Sequence, residues 1–200
     1  MNGIPAPVWA AIGFLSGSVP FSAILVRLFC GRSIATVGDG NPGAANAFKA
    51  GGWPVGAPAL LLDFAKAAVP VTAAHYGDGV AGWWLAFVAA APVCGHAFSP
   101  FLRGRGGKAV TATLGMWTGL TLWMGPVFLG SALTVLWRTL DSDAWAAVLG
   151  AAAVTVVMAA AGQPAPVVAA GALATLLIAF KQGRLLATPP RRRRRPPAHG

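Results

Sequence analysis

The sequence predicts an all-α protein: a polytopic bundle of about seven transmembrane helices. Three observations carry that expectation. Hydrophobic residues make up 56% of the 200 positions and charged residues only 10%, against about 25% charged in soluble domains. The apolar residues recur in blocks along the whole chain, with a mean hydropathy of +0.65, rather than in one core segment. Basic residues fall in alternate connections between those blocks, as the ends of successive membrane spans require.

Taken in order, the first apolar segment covers residues 5–28 and is interrupted by "SGSVPFS" at 16–22, where Ser, Gly and Pro loosen a helix and admit close neighbours. It has no basic stretch before it and is too long for a signal-peptide core, so it is read as a span. The second and third segments cover 53–76 and 80–98. The block 109–137 is broken near Met124-Gly125-Pro126, and each half is shorter than the roughly 20 residues of a full crossing. It is therefore two short spans or one re-entrant pair, giving five full spans plus a broken pair. The last two segments cover 144–161 and 164–180. Residues 186–200, rich in Pro and Arg, are expected to form a disordered tail. Trp83, Trp84 and Trp137 are read as interfacial anchors.

Arg27, Arg32 and Lys49 follow the first segment. Arg103, Arg105 and Lys108 follow the third, Arg138 precedes the sixth, and Lys181, Arg184 and the run Arg191 to Arg195 follow the seventh. The intervening connections carry no Lys or Arg. The expected orientation is N-terminus outside and C-terminus cytoplasmic. The net charge of +10 is concentrated on that side, and its arginine run is read as a solvated tail near anionic lipid headgroups, not as a nucleic-acid site. Cys30 and Cys94 fit neither a disulfide framework nor a zinc site.

Two connections on the cytoplasmic side carry chemistry. In "VGDGNPGAANAFKAGG", residues 37–52, glycine and proline oppose a helix. The amides around Gly38, Gly40 and Gly43 are suited to an anion-binding nest. Asn41 and Asn46 add amide donors and Lys49 a point charge, while Asp39 repels anions unless it turns away or accepts from a substrate hydroxyl. In "GHAFSPFLRGRGGKAVTATLG", residues 95–115, Arg103, Arg105 and Lys108 surround glycines just before a helix start, another favourable place for an anion. The spacing is not that of a nucleotide-hydrolysing loop. His96 is either a general base or a satisfied structural histidine. Asp63 and Lys66 in "LLLDFAK" share a helix face and pair, whether for packing or for function. His75 and His199 lie away from these loops.

Gly17-Ser18 with Pro20-Phe21, "VGDGNPGAANAFKAGG", "LLLDFAK" and "GHAFSPFLRGRGGKAVTATLG" occur in an order and spacing that resembles the bacterial acyl-phosphate-dependent glycerol-3-phosphate acyltransferases, across roughly residues 13–115. The resemblance implies an integral enzyme of the bacterial inner membrane with its active face cytoplasmic. Residues 1–185 would form the acyltransferase-like domain. The enzyme would pass an acyl group from acyl phosphate to the 1-hydroxyl of glycerol 3-phosphate, giving lysophosphatidic acid and phosphate for phospholipid biosynthesis. No cofactor or metal is implied, and the partners are the two substrates and membrane lipids. A monomer is expected.

The residues carried over as catalytic are Asp39, Asn41, Lys49, His96 and Lys108. Those carried over as substrate-binding are Gly38, Gly40, Gly43, Asn46, Arg103, Arg105, Gly106 and Gly107. The chain departs from the family pattern at Asp39 (usually Ser), Lys49 (usually Arg), Ala35 (usually Arg) and Ala45 (usually Thr). It departs again in "FKQGRLLA", where the family carries His and Asn and this chain offers Lys181, Gln182 and Arg184. Two other functions fit the same residues: a catalytically silent paralogue that binds a phosphorylated lipid precursor, and, behind it, a small-anion transporter.

Overall fold

The computed structural model describes residues 3–193 and contains eight α-helices among them. The first apolar segment is two helices, α1 (Ala6–Ser18) and α2 (Phe21–Cys30), separated at Val19-Pro20 because proline has no N–H to continue the ladder. α2 ends at Gly31 in the left-handed region (φ 66°).

α3 (Ala44–Thr72) begins nine residues earlier than the span expected at 53, so the second half of the glycine-rich connection is helical. The Ala-rich run 44–50 is good helix former, and the disruption falls where two glycines stand together. Gly51 and Gly52 leave helical geometry, Gly52 at φ 62°. α4 (Gly82–Ala97) follows, and then the block 109–137 divides into α5 (Val110–Thr121) and α6 (Met124–Thr139). The division lies at Leu122-Trp123, not at Met124-Gly125-Pro126. Gly125 and Pro126 fall in the first turn of α6, where a proline is tolerated, and the Thr121 hydroxyl accepts the Gly125 N–H at 2.9 Å. α5 and α6 are about 18 and 24 Å long, each too short for a full crossing.

α7 (Asp143–Ala160) starts at Ser142, whose hydroxyl accepts the Trp145 N–H at 3.4 Å, and α8 (Ala165–Leu186) starts after Pro164. Among the described residues, five apolar helical stretches are long enough to cross a membrane: Ala6–Cys30, Ala44–Gly77, Gly82–Leu102, Asp143–Ala160 and Ala165–Leu186.

The helices approach closely because small residues line their contacts. α1 packs on α4, where Gly17 lies against the backbone of Pro92, and α3 packs on α5, where Gly115 lies against the Phe64 carbonyl. A side chain at either glycine would separate the pair. One buried cluster, with Val71, Met116, Trp117, Leu129, Val154 and Ile178, joins α3 and α5–α8. A smaller one, with Val26, Ile34, Ala47 and Val55, ties α2 to α3. The outer face is apolar as well: Leu28, Phe29, Trp83, Phe87 and Leu176 are all exposed, the surface expected of helices solvated by lipid.

The two ends of the bundle differ. At one, the Asp78 carboxylate accepts from the Ile4 N–H and the Trp9 indole, both at 2.8 Å. At the other, the connection after α2, the connection after α4, the α6–α7 corner and the end of α8 come together. Residues 191–193, in the tail expected to be unstructured, pair with that corner. The Asp141 N–H donates to the Arg191 carbonyl (3.0 Å), and the Arg193 N–H to the Thr139 carbonyl (2.8 Å). Arg194 and Arg195, with the rest of the tail, lie outside the described residues.

Candidate active site

The two glycine-rich, basic connections identified in the sequence converge. The turn after α2 places Asp39 between Gly38 (φ 56°) and Gly40 (φ 73°), backbone angles that suit glycine. Its carboxylate gathers three donors: Lys108 Nζ reaches Oδ2 at 2.7 Å, while Asn46 Nδ2 (2.7 Å) and the Asn41 N–H (3.2 Å) reach Oδ1. Partial burial alone would raise the Asp39 pKa. The hydrogen bonds from Lys108, Asn46 and Asn41, with the charge of Lys108, outweigh it and hold the group at about 2 instead of 3.8. Asn46 is buried and also donates to the Asn41 carbonyl at 3.0 Å, so it fastens the first turn of α3 to the loop before it. Lys49 is exposed, and a Cβ built on Gly38 would sit 3.1 Å from its Nζ, so the ammonium lies over this turn.

The second loop is pinned from below. The Gly107 N–H donates to the His96 carbonyl at 2.9 Å. Side chains at Gly106 and Gly107 would run into the His96 carbonyl and the His96 ring respectively. Only glycine lets this strand lie flat on the end of α4, and the result sets Lys108 facing Asp39. Ala109 then takes a left-handed conformation (φ 65°) and α5 begins.

Beneath the loops is a buried polar chain. His96 Nδ1 lies 4.0 Å from Asp63 Oδ1 and has no hydrogen-bond partner among the described residues. Asp63 pairs with Lys66 (2.8 Å) and accepts from the Ser22 hydroxyl (2.7 Å). Lys66 also donates to the Val19 carbonyl, left free by the α1–α2 break, at 2.9 Å.

A cavity of about 440 Å³ opens among these groups. Asn41, Gly43, Asp63, His96, Lys108 and Gln182 line its polar part, and Phe48, Leu60, Val110 and Trp137 its apolar part. It borders an apolar groove of about 410 Å³ between α3, α5 and α6, with which it shares Leu60, Val110, Thr111 and Trp137. Of the expected site residues, Asn41, Gly43, His96 and Lys108 line the cavity; Gly38, Asp39, Gly40, Asn46, Lys49, Arg103, Arg105, Gly106 and Gly107 do not, and both arginines are exposed. Asp63 was visible in the sequence as an ionisable residue within a span. Trp137, read as an interfacial anchor, is a wall of the cavity. Thr111, Asp143 and Ala147 carried no sequence signal that distinguished them.

A family model described as Glycerol-3-phosphate acyltransferase matches residues 7–186. The chain belongs to that family. Among the family's relatives, glycerol-3-phosphate acyltransferase 1 of Thermotoga maritima is 38% identical over 157 residues, 72% of this chain and 77% of the relative. The glycerol-3-phosphate acyltransferase of Anaeromyxobacter dehalogenans is 43% identical over 116 residues, 56% of this chain and 58% of the relative. Two crystal forms of PlsY (YgiH), an integral membrane glycerol 3-phosphate acyltransferase, share the fold. The glycerol 3-phosphate form has a TM-score of 0.83 at 25% identity, covering 91% of this chain and 90% of that one. The lysophosphatidic acid form has a TM-score of 0.80 at 26% identity, with 91% and 92% covered. The family's membrane fold extends over α7 and α8, where the sequence motifs had run out.

Proposed function

We propose that this chain transfers an acyl group from acyl phosphate to the 1-hydroxyl of glycerol 3-phosphate, producing lysophosphatidic acid and inorganic phosphate. The observation that carries the proposal is the joined cavity. Lys108 and Asn41 meet at its polar end, with Asn46 fastening the loop that carries Asn41, and the bordering apolar groove leads away from them. Such a shape fits a phosphorylated acceptor and a phosphorylated acyl tail at the same time, with the acyl carbon at the boundary. Family membership supports the same reaction.

Both substrates are phosphate esters or anhydrides, and acyl phosphate is already activated. The chain's task is then chiefly positioning and charge neutralisation. Lys108 and Asn41 neutralise and orient phosphate, and the wall of Leu60, Val110 and Trp137 seats the alkyl tail. The hydroxyl oxygen attacks the acyl carbon, the bond from that carbon to the phosphate oxygen breaks, and the departing phosphate takes the hydroxyl proton. His96, in the cavity floor, orients the reacting groups. Gly38, Gly40, Gly43, Gly106 and Gly107 supply the backbone geometry. Lys49, Arg103 and Arg105, outside the cavity, draw anionic substrates toward its mouth.

The alternation of basic loops supports seven crossings and a cytoplasmic site in the bacterial inner membrane, with the chain acting as a monomer. The absence of His and Asn from "FKQGRLLA" favours a second reading, a silent member that binds a phosphorylated lipid precursor.

One assay decides between them. The purified chain in lipid vesicles is given acyl phosphate and glycerol 3-phosphate, and phosphate and lysophosphatidic acid are measured. Turnover that falls at least about 100-fold in Lys108→Ala, as removal of a transition-state charge contact does, supports the enzyme. Binding of glycerol 3-phosphate without turnover supports the silent member.

A further inference from the structure

We infer that Asp39 is an internal competitor for the substrate's phosphate, holding Lys108 at the polar end of the cavity until a phosphate displaces it. The inference rests on the proposed function for the identity of the ligand but not for the competition itself, which the geometry defines.

The Asp39 carboxylate already holds the donors that an incoming phosphate needs. Lys108 Nζ lies 2.7 Å from one oxygen, and the Asn46 amide and the Asn41 N–H reach the other at 2.7 and 3.2 Å. A carboxylate taking an ammonium and two amide hydrogens satisfies the same chemistry as two phosphate oxygens would. The group stays ionised throughout the working range, because those donors keep its pKa near 2. It therefore does not release Lys108 by titrating; it has to move.

The two partners are not equally free to do so. Lys108 extends from a strand held to the end of α4 by the Gly107 N–H and by the close seat of Gly106 and Gly107 on His96. Asp39 sits at the tip of a turn, flanked by two glycines of positive φ, with 48% of its side chain exposed against 30% for Lys108. Rotating Asp39 outward returns a carboxylate to water at small cost, since exposed pairs of this kind are weakly held. Lys108, which lines the cavity, stays in place with its ammonium free for the incoming phosphate.

The consequence is selectivity by charge. A dianionic phosphate ester outbids a monoanionic carboxylate for Lys108, whereas a small carboxylate or a singly charged ester does not. Asp39 thus sets a threshold that only phosphate-class ligands cross, and it lowers the affinity for every one of them.

The test is a binding cycle on the full chain in lipid nanodiscs, with inorganic phosphate and glycerol 3-phosphate as probes by calorimetry. Asp39→Asn keeps the shape of the side chain and removes the charge. The expected result is tighter binding of both probes by about fivefold or more, together with new affinity for acetate. The magnitude combines loss of an exposed ion pair with relief of like-charge repulsion. The gain disappears in the Lys108→Ala background, because the competition is for that ammonium. If Asp39→Asn lowers the melting temperature, Asp39→Ser, which retains an acceptor for the Asn41 N–H, takes its place. Unchanged or weaker phosphate binding in a folded variant overturns the inference, as does an equal gain with and without Lys108. Failure of the wild-type chain to turn over acyl phosphate would remove the proposed reaction and leave the binding cycle intact.

Discussion

Replacing Asp63 with alanine strands an ammonium inside the bundle. Lys66 is 5% exposed and Asp63 1% exposed. In the intact protein the ammonium has two partners, Asp63 Oδ1 at 2.8 Å and the Val19 carbonyl at 2.9 Å. The variant keeps one carbonyl and loses the countercharge, and the Ser22 hydroxyl loses the carboxylate oxygen it reaches at 2.7 Å. Breaking a buried pair by removing one member costs about 3–5 kcal/mol, and the orphaned hydroxyl adds about 1 kcal/mol. For a chain of this size each kcal/mol lowers the melting temperature by about 2–4 °C, so the expected drop is about 15 °C and no less than about 8 °C. The double variant Asp63→Leu with Lys66→Met removes both charges at similar volume and recovers part of the loss: removal of the pair is close to neutral, but the Ser22 hydroxyl and the Val19 carbonyl are left without their partners. The two free, half-buried thiols, Cys30 and Cys94, supply the readout. A thiol-reactive fluorophore reports their exposure as detergent-solubilised protein is heated. A fall of less than about 2 °C in the single variant, against the estimate above, refutes the reasoning. So does a double variant no more stable than the single one.

Two further outcomes are expected. Gly107→Ala places a methyl group against the buried His96 ring and drives it toward the cavity it lines. Overpacking of this kind costs about 1–3 kcal/mol, and phosphate release is expected to fall about tenfold or more, because His96 and Lys108 are displaced together; unchanged turnover would count against the site. The Asp39 pKa, depressed to about 2 from 3.8, means that its contribution to stability is fully present above pH 3.8 and is lost as the pH falls through about 2. Glycerol 3-phosphate affinity measured between pH 5 and 8 should therefore follow the titration of the phosphate alone, identically in slope for the wild type and Asp39→Asn. A break present only in the wild type would contradict the assignment.

Much of the fold was legible because hydropathy and loop charge are long-range averages that survive local detail. The helical character of 44–50 was not, because glycine and proline on both sides masked an Ala-rich turn whose helix continues into the span below. The break at Leu122-Trp123 was displaced from the nearby Gly125-Pro126 for a related reason: proline is comfortable in a first turn, so it marks where a helix begins rather than where one fails. Within the site, the glycine loops announced themselves by composition. Asp63 announced itself as a charge in an apolar run. Trp137, Thr111 and Asp143 enter through the packing of α6 and α7 against α3 and α5, a relation between distant segments that no local pattern encodes. The engagement of Asp39 with Lys108 joins residues 69 positions apart and follows only from the meeting of the two loops.

The interruption at Val19-Pro20 also bears on how the chain is made. The carbonyls of Ser18 and Val19 receive their tertiary hydrogen bonds from Ser99, 81 residues later, and from Lys66, 47 residues later. An unsatisfied carbonyl in hydrocarbon costs several kcal/mol, so the interrupted span formed by α1 and α2 cannot settle to its final depth alone. Its burial in the bilayer waits for the arrival of α3 and then of the loop beyond α4, which makes insertion of the early segments a sequential, mutually dependent event rather than a series of independent ones.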